Sequence, residues 1–301
     1  MSGNINPHSN FVTGALKNRS DFAASLLRLT LDSRVLERVD LDALRVEDGT
    51  FIEPNLRQSR TDLLFSIPGK AGGADRNIYV LFEHKSRPEP NLLLQLLKYQ
   101  RAVYEWQAVK MPVVAVVLYH GQARWNVPDS FHGYLRLTHR QTQGFEDSVL
   151  NFRYDLLDVC RMDIQRLRAS LAFRCFLNVL AEIHRFGDPE RIAAFLRLYR
   201  ELFFDITEQE FVEKFLFYML EYLDIESGKL RTYIEKNVAT EKGELVMSTA
   251  EQLRDEGRVE GKLEGKLEYA KNFLENGVDL EIVLKSTGLT REQLKEAKII
   301  S

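Results

Sequence analysis

The residue types best suited to chemistry stand at the end of an apolar strip. In IYVLFEHKS (Ile78 to Ser86), five strand-forming residues run directly into Glu83, His84 and Lys85. Side chains alternate across a strand, so Tyr79, Leu81, Glu83 and Lys85 share one face, and Ile78, Val80, Phe82 and His84 share the other. A carboxylate and an ammonium two residues apart therefore point the same way. Leaving either charge buried and unpaired would cost roughly several kcal/mol. Either the strand surfaces here with a solvated ion pair, or the two groups belong to a site.

A second carboxylate lies within reach. TDLLFSI (Thr61 to Ile67) reads as a strand with Asp62, Leu64 and Ser66 on one face. The Pro-, Gly-, Asn- and Asp-rich stretch PGKAGGADRN joins it to IYVLFEHKS as a hairpin. Folded symmetrically about Gly72 and Gly73, the hairpin sets Ile67 against Ile78 and Asp62 against Glu83, and a bulge in the loop would shift that register. In the symmetric register two carboxylates sit about 5 Å apart between Cβ atoms, a destabilising pair by itself. A divalent cation between them reverses the sign, because magnesium and calcium take oxygen ligands. Lys85 projects to the same side. On the segment that follows, Gln95 and Tyr99 are four residues apart and share one helical face.

These side chains need a sheet to hold them. Strand signals recur in FIEPNLRQ, TDLLFSI, IYVLFEHKS and PVVAVVLYHG. The last holds a continuous apolar run from Val113 to Leu118, which suits a central strand covered on both faces. Between the third and fourth lies NLLLQLLKYQRAVYEWQAVK, apolar at three- and four-residue spacings. Strand, helix and buried strand make a crossover unit, so the expected class is α/β, a mixed sheet flanked by helices. Residues up to about 50 read as helical, most clearly in DFAASLLRLTL, and from about Asp155 to Leu230 the chain reads as helical throughout. RIAAFLRLYRELFF and EFVEKFLFYMLEYL have the broad apolar faces of helices buried against each other. Three regions are expected: 1–160 with the sheet, 161–240 as helices packed on it, and 241–301 as a helical tail.

In the tail, Glu256 to Glu268 repeats every four residues as EGRV-EGKL-EGKL-E. On a helix this stacks like on like, in Glu, Gly, Lys/Arg and Val/Leu stripes, and like charges at i,i+4 disfavour an isolated helix. Each glycine costs about 1 kcal/mol against alanine. A second copy would supply what the helix lacks, so a homodimer through the tail is one expectation and a flexible low-complexity linker the other. Beyond it, NFLENGVDLEIVLKSTGLTREQLKEAK reads as two short helices joined by a turn, with Thr290 as an N-cap. The shape is similar to a helix-turn-helix, but REQLKEAK offers few side chains suited to base edges, which favours packing over DNA readout.

Bulk properties bound the rest. The chain has 301 residues, 45% hydrophobic and 28% charged, with a net charge of −3, an ordinary soluble composition with no global case for nucleic acid. Arg161 to Arg200 holds eight arginines against four acids, and Glu201 to Leu230 holds eight acids against two lysines. Two helix faces of opposite sign, or an arginine surface facing DNA, would account for this. Cys160 and Cys175 form no metal or disulfide framework, and MSGNINPHSN lacks the basic and apolar segments of a signal peptide. With no apolar run of about 20 residues, no membrane partner is expected and the location expected is the cytoplasm. There is no G-x-S-x-G, and GKAGG lacks Walker spacing. His132 and His139 show no helical metal spacing, His84 reads as a packed or surface residue, and for His120, beside Gly121 at a strand end, lining a cleft is the lesser of the readings.

D…E-x-K on adjacent strands followed by Q-x-x-x-Y on the next helix resembles the PD-(D/E)XK nuclease superfamily. RTDLLFSI, YVLFEHKSRPEPNLLLQLLKYQ and PVVAVVLYHG are similar, more closely, to the recombination-promoting nuclease (Rpn, or YhgA-like putative transposase) family. The resemblance covers roughly residues 5–160 and extends more loosely to the tail. It implies a restriction-endonuclease-like fold and a Mg²⁺-dependent DNA endonuclease acting in recombination, mobile-element biology or defence. Asp62 and Glu83 would ligate Mg²⁺ through side chains and His84 through its backbone carbonyl, polarising the scissile phosphate and helping to generate hydroxide. Lys85 would position the attacking water or offset transition-state charge. Gln95 and Tyr99 would contact the phosphate backbone or the lysine. Family members often begin with His-Asp and, shortly after, Phe-Lys. PHSNFVTGAL has Ser9, Val12 and Thr13 at those places. That departure favours an alternative reading, a catalytically weak or inactive dimeric scaffold that holds DNA or a partner.

Overall fold

The computed structural model describes residues 7–47, 63–70, 77–223, 225–275, 278–297 and 299. Its centre is a five-stranded sheet: β1 (Arg45–Glu47), β2 (Leu63–Ile67), β3 (Ile78–Lys85), β4 (Val113–Tyr119) and β5 (Tyr154–Asp158), in that spatial order. β1, β2 and β3 are antiparallel neighbours, and β4 and β5 then run parallel to β3, so the sheet is mixed. The hairpin register runs from Leu63 opposite Phe82 to Ile67 opposite Ile78, the symmetric one. FIEPNLRQ lies outside the described residues.

The helices divide between the two faces. On the rear pack α1 (Pro7–Asn18) and α2 (Ser20–Thr30), with helices from later in the chain. On the front packs α3 (Leu92–Trp106), whose buried residues Leu92, Leu93, Leu96, Tyr99, Gln100 and Val103 follow the three- and four-residue spacing of its sequence. α3 is the crossover between parallel β3 and β4. β4 is buried on both sides, with Val113, Ala115 and Val117 in the front layer and Val116 and Leu118 in the rear one. Its continuous apolar run is what such a position demands.

The rear layer is completed by α4 (Leu171–Glu182), α5 (Pro189–Leu198), α6 (Gln209–Leu223) and α7 (Ser227–Asn237). Ser170 caps α4 by accepting from the Phe173 N–H, and Asp188 caps α5 ahead of Pro189. α8 (Gly243–Glu275) contributes Val246 to this main core at one end and Ala270 to a separate small core at the other. Val283 of α9 (Leu280–Thr287) and Leu294 of α10 (Arg291–Glu296) complete that small core. Gly288 ends α9 in the left-handed conformation at φ 67°, and Thr290 opens α10 with a capping box closed by Gln293.

Two strands depart from the sequence reading. β1 falls where helix is expected, and β5 falls inside the stretch read as helical from about Asp155. β5 buries Tyr154 and Leu157, a three-residue spacing that imitates a helix face, and only pairing with β4 fixes it as a strand. Within the basic stretch, several arginines pair with acids close by in sequence. Arg161 pairs with Asp158, Arg166 with Asp163, and Arg185 and Arg191 both with Glu182.

At the end of β4, a Cβ on Gly121 would lie 2.2 Å from the Ser86 carbonyl oxygen and 2.4 Å from the Tyr119 hydroxyl. Backbone on one side and a buried ring on the other leave no room to yield. Gly121→Ala is therefore expected to destabilise the fold by about 1–3 kcal/mol, read as a drop in thermal midpoint. An unchanged midpoint would show that the close approach of the β3 and β4 ends is not required.

Candidate active site

The front face at the C-terminal end of β3 gathers four of the sequence-nominated side chains. Lys85 Nζ lies 2.9 Å from Glu83 Oε1 and donates to Gln95 Oε1 at 3.0 Å. Gln95 Nε2 in turn reaches Tyr99 Oη at 3.1 Å and Glu83 Oε2 at 3.4 Å. β3 supplies the acid and the lysine through its two-residue alternation, and α3 supplies Gln95 and Tyr99 through its four-residue one. A fifth residue, Glu89, also pairs with Lys85. Sequence reasoning missed it, although its position four beyond Lys85, just before α3, was the available signal.

Burial grades steeply across this cluster. The Glu83 side chain is 0% exposed, Lys85 13% and Glu89 46%. Glu83 Oε1 sits at ion-pair distance from the ammonium, yet among the described residues no donor is aligned on it for a hydrogen bond. A buried carboxylate oxygen with an unclaimed lone pair is the donor type a hard divalent cation takes. Asp62 lies outside the described residues, one position before β2 begins. β2 and β3 hold the symmetric register up to Leu63 and Phe82.

The rear face of the same strand is a different environment. His84 is buried there, with Nε2 2.7 Å from His120 Nε2, and the two rings meet edge to edge with planes 3° apart. His120 is fully buried on this side, so it does not line the front cleft as its strand-end position suggested. His8, from α1, and His184, just after α4, complete a cluster with Tyr218 and Tyr222 of α6. α1 packs into the rear layer through Phe11, Val12, Ala15 and Leu16, opposite the face that carries Glu83. Ser9 is buried on this helix. Parity along β3 and β4 places His84 and His120 together. His8 stands at the histidine of the family's opening His-Asp pair, but no local pattern marks His184, and tertiary packing brings both in.

Burial sets the charge state of these imidazoles. It lowers His8 to about 4, helped by His184, and His84 to about 3, helped by His8 and Lys85. His120 is pushed well down by burial and then by the neighbouring histidines, and His184 is lowered by burial against an opposing hydrogen bond to the His120 backbone. Burial strips the charged imidazolium of much of its hydration, which favours the neutral form.

Fold and site together define a class: a nuclease-like α/β protein, with an acid–lysine–glutamine–tyrosine cluster on the front of a mixed sheet. Residues 6–212 match the family described as putative transposase, YhgA-like, and residues 263–298 match the Rpn/YhgA-like nuclease family, C-terminal HTH domain. The chain belongs to this Rpn/YhgA-like family. It is 24% identical over 293 residues to the recombination-promoting nuclease RpnA of Escherichia coli K12, covering 92% of each chain. It is 28% identical over 284 residues to the inactive recombination-promoting nuclease-like protein RpnE of the same strain, covering 89% of this chain and 90% of that one. With the recombination-promoting nuclease RpnD of E. coli O157:H7 it is 31% identical over 107 residues, which span 34% of this chain and 40% of the relative. No solved structure matches. The turn-linked helices of the tail, expected to serve packing, fall within the segment that the family describes as its HTH domain. No helix among the described residues is long and apolar enough to cross a membrane.

The rear histidines give a pH prediction. Their folded values lie below the ordinary 6.5, so the unfolded chain takes up protons first. Stability is complete above pH 6.5 and is lost as pH falls towards the folded values near 4 and 3. The thermal midpoint of chelator-treated protein should fall across this window, and His8→Asn should make the fall shallower. A midpoint flat between pH 6.5 and 4 would contradict the burial of neutral imidazoles.

Proposed function

We propose that this chain is a divalent-cation-dependent DNA endonuclease of the PD-(D/E)XK type, acting in recombination, mobile-element biology or defence. The observation that carries the reading is the hydrogen-bonded set of Glu83, Lys85, Gln95 and Tyr99 at the end of one strand, with the fully buried Glu83 carboxylate 2.9 Å from the Lys85 ammonium. Glu83 and Asp62, with the backbone carbonyl of His84, would hold Mg²⁺, which supplies charge to polarise a scissile phosphate. Lys85 carries its ammonium beside that carboxylate, where it offsets charge developing on the phosphate oxygens or orients water for in-line attack. Gln95 orients the lysine through its carbonyl and keeps its amide on Glu83 and Tyr99. The nuclease names of the relatives and the HTH description of the tail support DNA as the substrate.

A second reading is favoured by the same cluster. Lys85 is shared between Glu83 and Glu89, which ties up the ammonium, and RpnE carries the word inactive in its name. On that reading the protein is a nuclease-like scaffold that binds DNA or a partner without cutting.

Nicking of supercoiled plasmid separates the two. With Mg²⁺ the full chain should convert supercoiled to open-circular DNA, chelator should stop it, and Lys85→Ala should slow it by about 100-fold or more. Cutting that persists unchanged in Lys85→Ala would place the activity elsewhere. Binding without cutting at any metal concentration would leave the scaffold.

Homodimerisation through the tail is proposed on its repeat. α8 runs unbroken through Glu256 to Glu268, about 50 Å from end to end at 1.5 Å per residue, despite glycines at 257, 261 and 265. Light scattering should give a dimer for the full chain and a monomer for a chain ending at Asp255. Identical masses per chain for both would remove the tail as the assembly element.

A further inference from the structure

The rear histidine cluster is independent of the nuclease reading, and it brings three imidazoles close enough together to hold a metal ion. We infer that His8, His120 and His184 form a binding site for a first-row transition-metal ion, zinc by preference, on the face of the sheet opposite Glu83 and Lys85.

One donor nitrogen from each of the three lies within 4.8 Å of the others. The ring centroids are 4.6 Å apart for His8 and His120, 5.5 Å for His8 and His184, and 5.8 Å for His120 and His184. Three imidazoles on one tetrahedral zinc, with Zn–N of about 2.0–2.1 Å, hold their centroids about 5.2 Å apart. The observed spacings straddle that value.

The outward nitrogens are held as ligating histidines require. Metal-bound imidazole fixes its orientation by hydrogen-bonding through the other ring nitrogen. His8 Nδ1 is 2.5 Å from the Tyr218 hydroxyl, and His184 Nδ1 is 2.6 Å from the Tyr222 hydroxyl. These contacts direct Nε2 of each ring as the donor for an ion. His120 is turned the other way: Nε2 meets His84, and Nδ1, fully enclosed, has no hydrogen-bond partner among the described residues. His184 Nε2 also lies 3.1 Å from the His120 carbonyl, a contact it would exchange for the ion.

Three nitrogen donors and no carboxylate select against magnesium and calcium and in favour of zinc and its neighbours. The three ligands come from α1, the end of β4 and the turn after α4. An ion here would tie the first helix and the helical layer to the sheet, directly behind the strand that bears Glu83 and Lys85.

Metal content of the untagged full chain tests this. Protein stripped with chelator, reloaded with Zn²⁺ and passed through gel filtration should retain about one zinc per chain, as a single four-coordinate site requires. His184→Ala, at the most exposed of the three ligands, should lose it, and Tyr222→Phe should weaken affinity by about tenfold or more. Glu83→Gln should retain it. Loss of the zinc in Glu83→Gln, with retention in His184→Ala, would put the ion on the front face and overturn the proposal. So would wild-type protein that retains none. Should His184→Ala fail to fold, X-ray absorption of the wild-type zinc decides: three imidazole ligands support the site, and one or none overturns it.

Discussion

Strand β3 has β2 and β4 on its two edges as far as Phe82 and core layers on both faces, and its last polar residues continue the pairing with β4. Antiparallel β2 and parallel β4 consume its backbone hydrogen bonds, while the front and rear layers bury its side chains. A strand in this position is ordinarily apolar from end to end. Glu83, His84 and Lys85 break that rule together, so three successive polar groups must find partners from other elements. Alternation sends Glu83 and Lys85 forward to α3 and His84 backward to the helical layer. The two polar clusters are thus consequences of one strand.

Each face then recruits what its polar residue needs. In front, α3 starts seven residues after Lys85 and runs back along the sheet, which places Gln95 over the strand end. Gln95 is amphoteric, accepting from the ammonium through its oxygen and offering its amide to the carboxylate and the tyrosine. Behind, His84 meets His120, and around that pair gather His8 from α1, His184 after α4 and two tyrosines from α6, elements from both ends of the chain. The helical layer is therefore joined to the sheet through polar contacts as well as through its aromatic core.

The front cluster was legible in the sequence because it is local. A two-residue period on a strand and a four-residue period on the next helix bring Glu83, Lys85, Gln95 and Tyr99 within 17 residues of chain. The hairpin register was legible for the same reason, since loop symmetry fixes it. β4 announced itself by its continuous apolar run. β1 and β5 did not, because three and five residues carry too little pattern to outweigh neighbouring helix signals, and their state depends on a sheet edge built elsewhere. The rear cluster lay beyond reach: His8 and His184 are separated by 176 positions, His184 stands in no motif, and His8, at the histidine of the family's opening His-Asp pair, carries no sign of its partners.

The partition of charge in front constrains what any change at Lys85 can mean. Glu83 is fully enclosed, and its cationic neighbour is the ammonium that Glu89 also holds near the surface. Removing the lysine withdraws a chemical group and also leaves a buried carboxylate whose remaining contact among the described residues is the weak one to Gln95 at 3.4 Å. The second effect is a stability cost that the first does not involve, and breaking one side of a buried pair is commonly worth about 3–5 kcal/mol. A divalent cation at Glu83 would relieve that cost by replacing the lost charge. A cation bound there would link metal binding to folding through a single carboxylate, to which the lysine is the counter-ion in this structure.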